Sequence, residues 1–522
     1  MADEGSQGFW ETRAGQVLIF ALLITVSAFL AFTRSGRRSF WLDEALTVHF
    51  ASLSPGKMAA ALRYDTGSPF YYLLVRYWIK VSGDSEAAVR GLSGVFYIAS
   101  VAAIYGFSKR LHRTIGAGLA AALLFMLSWE AVLHAQNARN YSLMVFLGIL
   151  SVSLYLRIFF MDGGRRDSIL YVFVNACGIY SNYIFTMLLL AETLAVLFLD
   201  ARKHLKKCTL LMLAGGVPFL PYLPEALRQV GNQGITWMNR PGLMDIALTF
   251  AHFYSGGEKA LPILVYGFVP ATLFISFDGR RPSRRKWESL QQYFSAPDRR
   301  GLWVLLPLLL GVLFLVSQWK PVYVVGRQSI LVLIPTVLLI GPLLAQFNRR
   351  ATLAVFFTLV GLGTSREILR SRTRPETFSD REAATYLADH SSPNDVFLFV
   401  GLTAPAIEYY LDRFEPKEDL LRIKFPEEMA LHPGWLDEDL LLERRESLVE
   451  EARGIGERLK QSMGGTGRSL WVLYDDNHPK TSGILRNEIE ERFALREKVD
   501  RRSFFSGGIH RYDVSSTSGN EE

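Results

Sequence analysis

The stretch VLIFALLITVSAFLAFT, residues 17–33, is the first of a series of apolar segments that are long enough to cross a bilayer. A membrane-spanning helix needs about 20 apolar residues, within a range of roughly 17 to 25. No small-residue cleavage site follows this stretch, so we predict a retained span and not a signal peptide. The composition agrees, because 50% of the 522 residues are hydrophobic and only 20% are charged, less than in an average soluble protein.

Further apolar segments follow up to about residue 366. A polar interruption, Tyr180-Ser181-Asn182-Tyr183, divides the segment 168–199 into two short spans. We therefore predict about eleven spans in a mainly α-helical, polytopic domain of residues 1–366. The candidate spans are 17–33, 86–107, 115–133, 141–160, the two halves of 168–199, 208–223, 260–277, 301–316, 329–347 and 351–363.

Basic residues in the short loops predict the orientation of the chain. With the N-terminus inside, five basic clusters fall on the same side of the membrane, as the positive-inside rule requires. These clusters lie at 109–113, 157–166, 202–207, 280–286 and 349–350. The N-terminus is then cytoplasmic, and an odd number of spans places the C-terminal part outside. The net charge of +7 is explained by this distribution and predicts no nucleic-acid partner.

Residues 367–514 have the pattern of a small extracytoplasmic α/β domain, in which helices and strands alternate. Helices are predicted at 380–390, 404–410 and 482–493, and strands at 395–400, 469–474, 495–499 and 509–514. The polar tail, 515–522, is predicted to be disordered. Cys177 and Cys208, the two cysteines, lie in or beside apolar segments, so neither a disulfide framework nor a thiolate metal site is expected.

The first outer loop, residues 34–85, carries three carboxylates. Its segments 42–62 and 70–81 have the apolar spacing of amphipathic helices that lie along the membrane interface. Asp43 and Glu44 point about 100° apart on such a helix, so only one of them can face a given cavity. A carboxylate there could accept a proton from a hydroxyl group or hold a divalent metal ion. The alternative is a favourable interaction with the helix dipole. Asp65 adds a third carboxylate to the same loop.

Cations and polar residues follow later spans on the same predicted side. A single outward-facing cation is most often a membrane anchor, but several on the side of the carboxylates predict contacts with a phosphate-bearing lipid headgroup. The residues concerned are Gln136, Arg139, Tyr141, Lys320, Tyr323 and Arg327.

These motifs together resemble the protein mannosyltransferase and aminoarabinose transferase superfamily, which is glycosyltransferase family 39-like. The resemblance covers nearly the whole chain, and its most specific part is the first loop. The motifs in order are Trp-Leu-Asp-Glu-Ala at 41–45, Asp-x-x-x-Pro-Phe-Tyr-Tyr-Leu-Leu at 65–74, Gly-Asp-Ser-Glu at 83–86 leading to Arg90, Gln-x-Ala-Arg-x-Tyr-Ser at 136–142, the break at 180–183, Arg327 leading to Pro335, and Pro-Asn-Asp at 393–395.

The resemblance implies a fold and a reaction. It implies a GT-C-like fold in a bacterial inner membrane, and transfer of a sugar from a polyprenyl-phosphate carrier to a lipid, glycan or protein acceptor on the outer side. Asp43 matches the catalytic aspartate, Glu44 its acidic neighbour and Asp65 a further acidic residue of the site. Arg327 matches the arginine near the carrier phosphate, and the motif residues Gln136, Arg139, Tyr141 and Tyr183, with Lys320 and Tyr323, are expected to bind substrate.

The chain departs from the family pattern at four places. Gly67 and Ser68 replace the usual His-Pro, and Asn137, Asn182 and Gln328 replace the common Glu, His and Tyr. These changes leave the requirement for a divalent metal ion open and suggest an unusual sugar or acceptor. Two alternatives to an inverting transferase therefore stand: a catalytically silent subunit that binds carrier lipid, and a transporter or flippase of lipid-linked saccharides.

Overall fold

The computed structural model describes residues 9–65, 67–231, 238–255, 293, 295–345, 380–414, 421–431, 437–464, 467–499 and 507–514. The chain divides into two compact units, which are described separately. The first unit comprises Met1–Gly36, Ser68–Ala226 and Met238–Arg372. The second comprises Arg37–Gly67, Leu227–Trp237 and Thr373–Glu522. Most of the first outer loop thus groups with the C-terminal part of the chain.

The first unit is built from helices. They are α1 (Arg13–Phe32), α4 (Pro69–Ser82), α5 (Glu86–His112), α6 (Ile115–Met126), α7 (Trp129–Ala135), α8 (Tyr141–Phe160), α9 (Arg165–Ser181), α10 (Phe185–Gly216), α12 (Leu243–Ser255), α13 (Pro297–Trp319) and α14 (Leu333–Leu344). The helix α11 (Leu223–Gly231) lies at the boundary of the two units.

Five described helices are long and apolar enough to cross a membrane, and α6 with α7 makes a sixth, bent candidate. The five are Arg13–Phe32, Glu86–His112, Tyr141–Phe160, His204–Gln229 and Pro297–Trp319, and shorter apolar helices accompany them. The predicted class of a mainly helical, multi-pass membrane protein with a C-terminal α/β domain is confirmed. The count of eleven spans stays a prediction, because the candidate spans 260–277 and 351–363 lie outside the described residues.

One predicted span is bent. The segment 115–133 was expected to be continuous, but α6 ends at Met126 and α7 continues at an angle of 64°. Ser128 caps the new helix, because its side chain accepts a hydrogen bond from the Ala131 N–H at 3.4 Å. A serine that satisfies an N-terminal donor lets a new helix begin where the apolar pattern alone predicts none.

The predicted interruption at Tyr180–Tyr183 is present, since α9 ends at Ser181 and α10 begins at Phe185. The backbone of α10 then stays helical through residues 200–207, where a cytoplasmic loop was expected between two spans. That loop prediction is wrong for the described backbone. Lysine and arginine are good helix formers, so a basic segment can extend a helix beyond its apolar part.

The first outer loop folds into short helices. The segment 42–62, expected to be helical, forms α2 (Leu42–Ser52) and α3 (Pro55–Ala61). The break falls at Leu53 and Ser54, which are extended, because a residue before proline avoids the helical conformation. A 3₁₀ turn, Leu62–Tyr64, follows α3.

The second unit contains a five-stranded sheet with strand order β2-β1-β3-β5-β4. The strands β1 (Val396–Val400), β2 (Leu421–Phe425) and β3 (Ser469–Asp475) are parallel, whereas β4 (Phe493–Val499) and β5 (Gly507–Val514) pair antiparallel to each other and β5 to β3. The helices are α15 (Asp380–His390), α16 (Ala404–Phe414), α17 (Glu428–Leu431), α18 (Glu438–Leu442), α19 (Arg445–Met463) and α20 (Pro479–Glu490).

Both faces of the central strands are buried. Every residue of β1 and β3 is inaccessible to solvent, as expected of parallel strands covered on two sides. One face, with Leu398 and Val472, packs in a cluster with Leu448 and Leu459 of α19. The predicted strands and helices of this domain are present, whereas β2 and the helices α17, α18 and α19 are elements that the sequence reading missed.

Removing the Asp395 carboxylate should destabilise this sheet. Asp395 accepts hydrogen bonds from the Ser469 N–H (2.9 Å), the Trp471 indole N–H (2.9 Å) and the Ser392 N–H (3.0 Å). We expect Asp395→Ala to cost about 3 kcal/mol of unfolding free energy, because buried donors lose a charged acceptor. Hydrogen exchange of the β3 amides should then accelerate about 100-fold, whereas exposed Asp389→Ala should leave it unchanged. Equal exchange in the two variants would contradict this assignment.

Candidate functional site

The first-loop carboxylates belong to the second unit. Asp43 and Glu44 occupy the first turn of α2, where an acidic side chain interacts favourably with the helix dipole. Glu44 is fully buried, while Asp43 is only half-buried. The difference agrees with the argument that the two side chains cannot face the same way. Asp43 is therefore the more accessible of the two candidates for proton transfer.

Asp65 ends the 3₁₀ turn that follows α3, and its N–H donates to the Leu62 carbonyl at 3.2 Å. The Gln229 side-chain amide donates to the same carbonyl at 2.5 Å and to the Gly67 carbonyl at 3.4 Å. Gln229 belongs to α11. A buried glutamine thus fixes the backbone on both sides of Asp65.

The predicted substrate-binding residues belong to the first unit. The Gln136 amide donates to the Leu30 carbonyl of α1 at 2.7 Å, and the Arg139 carbonyl accepts from the Ser93 hydroxyl at 3.2 Å. The Tyr183 ring lies in the break between α9 and α10 and contacts Phe219, with centroids 5.9 Å apart. Gln136 and Tyr183 thus contact different neighbours.

Lys320, Tyr323 and Arg327 lie in the segment between α13 and α14. The Tyr323 hydroxyl is hydrogen-bonded to the Thr249 hydroxyl of α12. Burial raises the pKa of Tyr323 to about 12, so its hydroxyl stays protonated at neutral pH. Partial burial lowers the pKa of Lys320. Arg327 precedes the 3₁₀ turn Gln328–Val332.

A buried acid and two histidines surround the turn before Arg327, and the sequence reading missed all three. Glu130 of α7 is fully buried, and its carboxylate lies 3.4 Å from the His252 Nδ1 atom. Ser329 donates to the other Glu130 oxygen at 3.3 Å. A signal for Glu130 was available, since an ionisable residue within a predicted span is a functional candidate by default.

The Gly326 peptide is held on three sides. Its N–H donates to the Ser329 hydroxyl at 3.0 Å, and its carbonyl lies 3.1 Å from the His134 Nε2 atom. Its φ is +86°, and a Cβ built there would lie 2.4 Å from the His252 ring. Glycine is therefore required both by backbone conformation and by space. The conformation of the chain entering Arg327 is fixed as a result.

Three of the predicted residues are thus brought to one place in the first unit. Tyr141 contacts His134, with ring centroids 4.5 Å apart, while Tyr323 is joined to α12, the helix that carries His252. Arg327 follows Gly326 directly. The cluster formed by Glu130, His134, His252, Gly326 and Ser329, called here the Glu130 cluster, is the shared neighbour of all three.

Such an arrangement can hold a cationic turn rigid and present it to an anion. Arginine suits this task, because its planar guanidinium matches the oxygens of a phosphate group. No group of three or more His, Cys, Asp or Glu side chains in metal-binding geometry occurs within the part of the chain that the structure describes. The sequence analysis left the requirement for a divalent metal ion open, and that requirement stays open.

Substituting Gly326 should destabilise the first unit. We expect Gly326→Ala to lower the melting temperature of the detergent-solubilised protein by several degrees, because the new methyl group meets His252 and the φ angle is unfavourable. The expected cost is about 2 kcal/mol or more. Gly311→Ala is the matched control, since nothing lies within 4 Å of a Cβ at this position of α13. An unchanged melting temperature for Gly326→Ala would contradict the described turn.

Comparisons with known proteins give a match to one family model and matches to several solved structures, two of which are described here. Residues 66–226 match the family model described as dolichyl-phosphate-mannose-protein mannosyltransferase. No match was found among curated proteins. A crystal structure of ArnT from Cupriavidus metallidurans bound to undecaprenyl phosphate has 12% sequence identity and a TM-score of 0.47, covering 96% of this chain and 98% of that one.

The apo form of the same ArnT has the same identity and TM-score, covering 95% of this chain and 98% of that chain. The family match spans just under a third of the chain. It begins inside the first outer loop and ends within α11, and it includes Gln136, Arg139, Tyr141 and Tyr183. Over this stretch, the resemblance to the protein mannosyltransferase superfamily predicted from the sequence is confirmed.

Proposed function

We propose that this protein is an integral membrane glycosyltransferase that moves a sugar from a polyprenyl-phosphate carrier to an acceptor on the extracytoplasmic side. The match of residues 66–226 to the protein mannosyltransferase model carries the proposal. The name of that family specifies a sugar that is delivered on a lipid phosphate. A chain with several apolar spans has access to such a donor, because the bilayer itself supplies it.

The proposed reaction is a single displacement with inversion at the anomeric carbon. The acceptor oxygen forms a bond to that carbon, and the bond from the carbon to the phosphate oxygen breaks. Asp43 takes the proton of the acceptor hydroxyl as general base. The half-buried position of Asp43 on α2 supports this role, and the full burial of Glu44 supports a helper role for that residue.

Arg327 is proposed to stabilise the departing polyprenyl phosphate, with Lys320 or Arg139 as further cations. A charged donor aimed at developing negative charge is most effective when its position is fixed beforehand. The rigid Gly326 turn and the Glu130 cluster support this role. Gln136, Tyr141, Tyr183 and Tyr323 are proposed to contribute to substrate binding.

The proposed orientation follows from the basic loops. The N-terminus is cytoplasmic, and residues 367–514 lie on the extracytoplasmic side of a bacterial inner membrane. The domain of residues 1–366 then carries the transferase spans. The identity of the sugar and of the acceptor is left open, since Gly67, Ser68, Asn137, Asn182 and Gln328 depart from the family pattern.

Replacing Asp43 by asparagine should abolish transfer. We expect the rate of sugar transfer to fall about 10³-fold, because the amide cannot accept the proton, and general acid–base catalysis contributes about 10²–10⁴-fold. The measurement uses purified protein and a panel of radiolabelled polyprenyl-phosphate sugars. Asp162→Asn is the matched control, since Asp162 is an exposed residue in the turn between α8 and α9.

The same assay separates the alternatives. Carrier lipid that binds without release of sugar, for every donor, would favour a silent binding subunit. Movement of intact donor between the leaflets of a vesicle would favour a flippase. Full activity of Asp43→Asn would refute the proposed base.

Replacing Arg327 by glutamine should weaken the stabilisation of the leaving phosphate. We expect kcat to fall about 100-fold or more, because removal of one preorganised donor has a cost of this size in other enzymes. Arg300→Gln, in the exposed first turn of α13, is the control. A variant whose kcat and KM both equal those of the wild type would exclude Arg327 from the site.

A further inference from the structure

Phe40, two residues before the helix of the proposed base, is bound by the C-terminal α/β domain. Phe40 is fully buried, and its backbone N–H donates a hydrogen bond to the Tyr410 hydroxyl at 2.7 Å. The Phe40 ring also contacts Tyr409 edge-on, with centroids 4.9 Å apart. Both tyrosines belong to α16, so that α16 holds the chain where it enters α2.

The Tyr410 ring, which carries this hydroxyl, is packed against neighbouring side chains. The Tyr409 and Tyr410 rings meet at an angle of 89° with centroids 4.8 Å apart, and Phe414 stacks on Tyr410 at 6.2 Å. The Arg381 guanidinium lies 5.6 Å from the Tyr410 centroid. Aromatic packing of this kind restricts both rings, so the hydroxyl is a fixed point and not a mobile contact.

The other end of α2 lies near an ion pair of the same domain. Lys424 of β2 and Glu408 of α16 are 2.8 Å apart, and both act on His49, near the C-terminal end of α2. Partial burial and the Lys424 ammonium lower the pKa of His49, while Glu408 acts in the opposite direction. The geometric contacts of α2 with this domain are made by α16.

Attachment to α16 at Phe40 restricts the position of the first turn of α2. The eleven residues of α2 span about 16 Å at 1.5 Å per residue. Asp43 lies three residues after Phe40, so a shift at Phe40 is transmitted almost directly to the Asp43 carboxylate. A displacement of about 1 Å in a catalytic group can reduce a rate about 100-fold.

We propose that Tyr410 is a positioning residue for Asp43, and that the C-terminal α/β domain serves the reaction by holding the base helix in register. This inference rests on the proposed function. It assigns to the domain a role in kcat and not in binding of the carrier lipid. A role in stability alone would not lower the kcat of the folded enzyme.

Tyr410→Phe tests the proposal, because it removes the hydroxyl and keeps the ring. We expect kcat to fall about 10- to 100-fold while KM for the polyprenyl-phosphate sugar stays within about 2-fold of the wild-type value. Tyr386→Phe is the matched control: it removes a hydroxyl of the same domain that binds the exposed side chain of Glu497 at 2.8 Å. Its kcat should equal that of the wild type.

A kcat for Tyr410→Phe equal to that of Tyr386→Phe would overturn the proposal. This holds whether both variants keep the wild-type kcat or both lose it to the same extent. Hydrogen exchange of the wild-type protein is a second test that does not depend on a variant. The Phe40 amide should exchange as slowly as the amides inside α2, and fast exchange at Phe40 would contradict the anchor.

The two tests separate this proposal from the proposed function. If the wild type transfers sugar from none of the donors, the proposed function fails. Hydrogen exchange at Phe40 then still reports whether Tyr410 holds the helix. A slow Phe40 amide in the wild type that becomes fast in Tyr410→Phe, but not in Tyr386→Phe, would establish the anchor itself.

Discussion

In a bilayer, every backbone N–H and C=O group must find a partner within the protein, because each unsatisfied group costs several kcal/mol. The helices of the first unit meet this demand by their own hydrogen bonds. Where a helix breaks, side chains have to supply the missing partners. Ser128 does so at the bend between α6 and α7, and Asn140 donates to the Ser181 carbonyl at the end of α9 at 2.7 Å. Ser329 does so for Gly326.

The same breaks carry several of the polar residues of the candidate site. Glu130 and His134 lie in the short helix after the first bend, Tyr183 in the second break and Arg327 beside the third. Irregular backbone and candidate site residues thus occur together. A membrane protein tolerates the loss of helical hydrogen bonds only where polar groups are buried in protein or line a cavity, and those groups are then available to a polar substrate.

Several helices, strands and helix breaks could be predicted from the local sequence alone. The helix α8 and the strands β1 and β3 follow from uninterrupted apolar stretches, and the break at Asn182 from a polar interruption. The bend at Ser128 was not predicted. Hydropathy is averaged over a window of residues, and one serine does not change that average. The strand β2 has only the short alternation of Leu421, Ile423 and Phe425, which is a weak signal at a sheet edge.

The residues of the Glu130 cluster could not be grouped from sequence. Glu130 and Ser329 are 199 positions apart, and His252 comes from a third segment, the helix α12. Their association depends on the packing of α7 against α12, which no local pattern encodes. The same holds for Phe40 and Tyr410, 370 positions apart, whose contact connects the proposed base helix with the C-terminal domain.

We have proposed that this protein transfers a sugar from a lipid phosphate in one displacement. The most direct measurement is mass spectrometry of the free polyprenyl phosphate released from the donor panel, together with the anomeric configuration of the product by NMR. We expect stoichiometric release of polyprenyl phosphate and an inverted anomeric centre. Intact donor after incubation with every member of the panel and with lipid, glycan and protein acceptors, or a product of retained configuration, would contradict it.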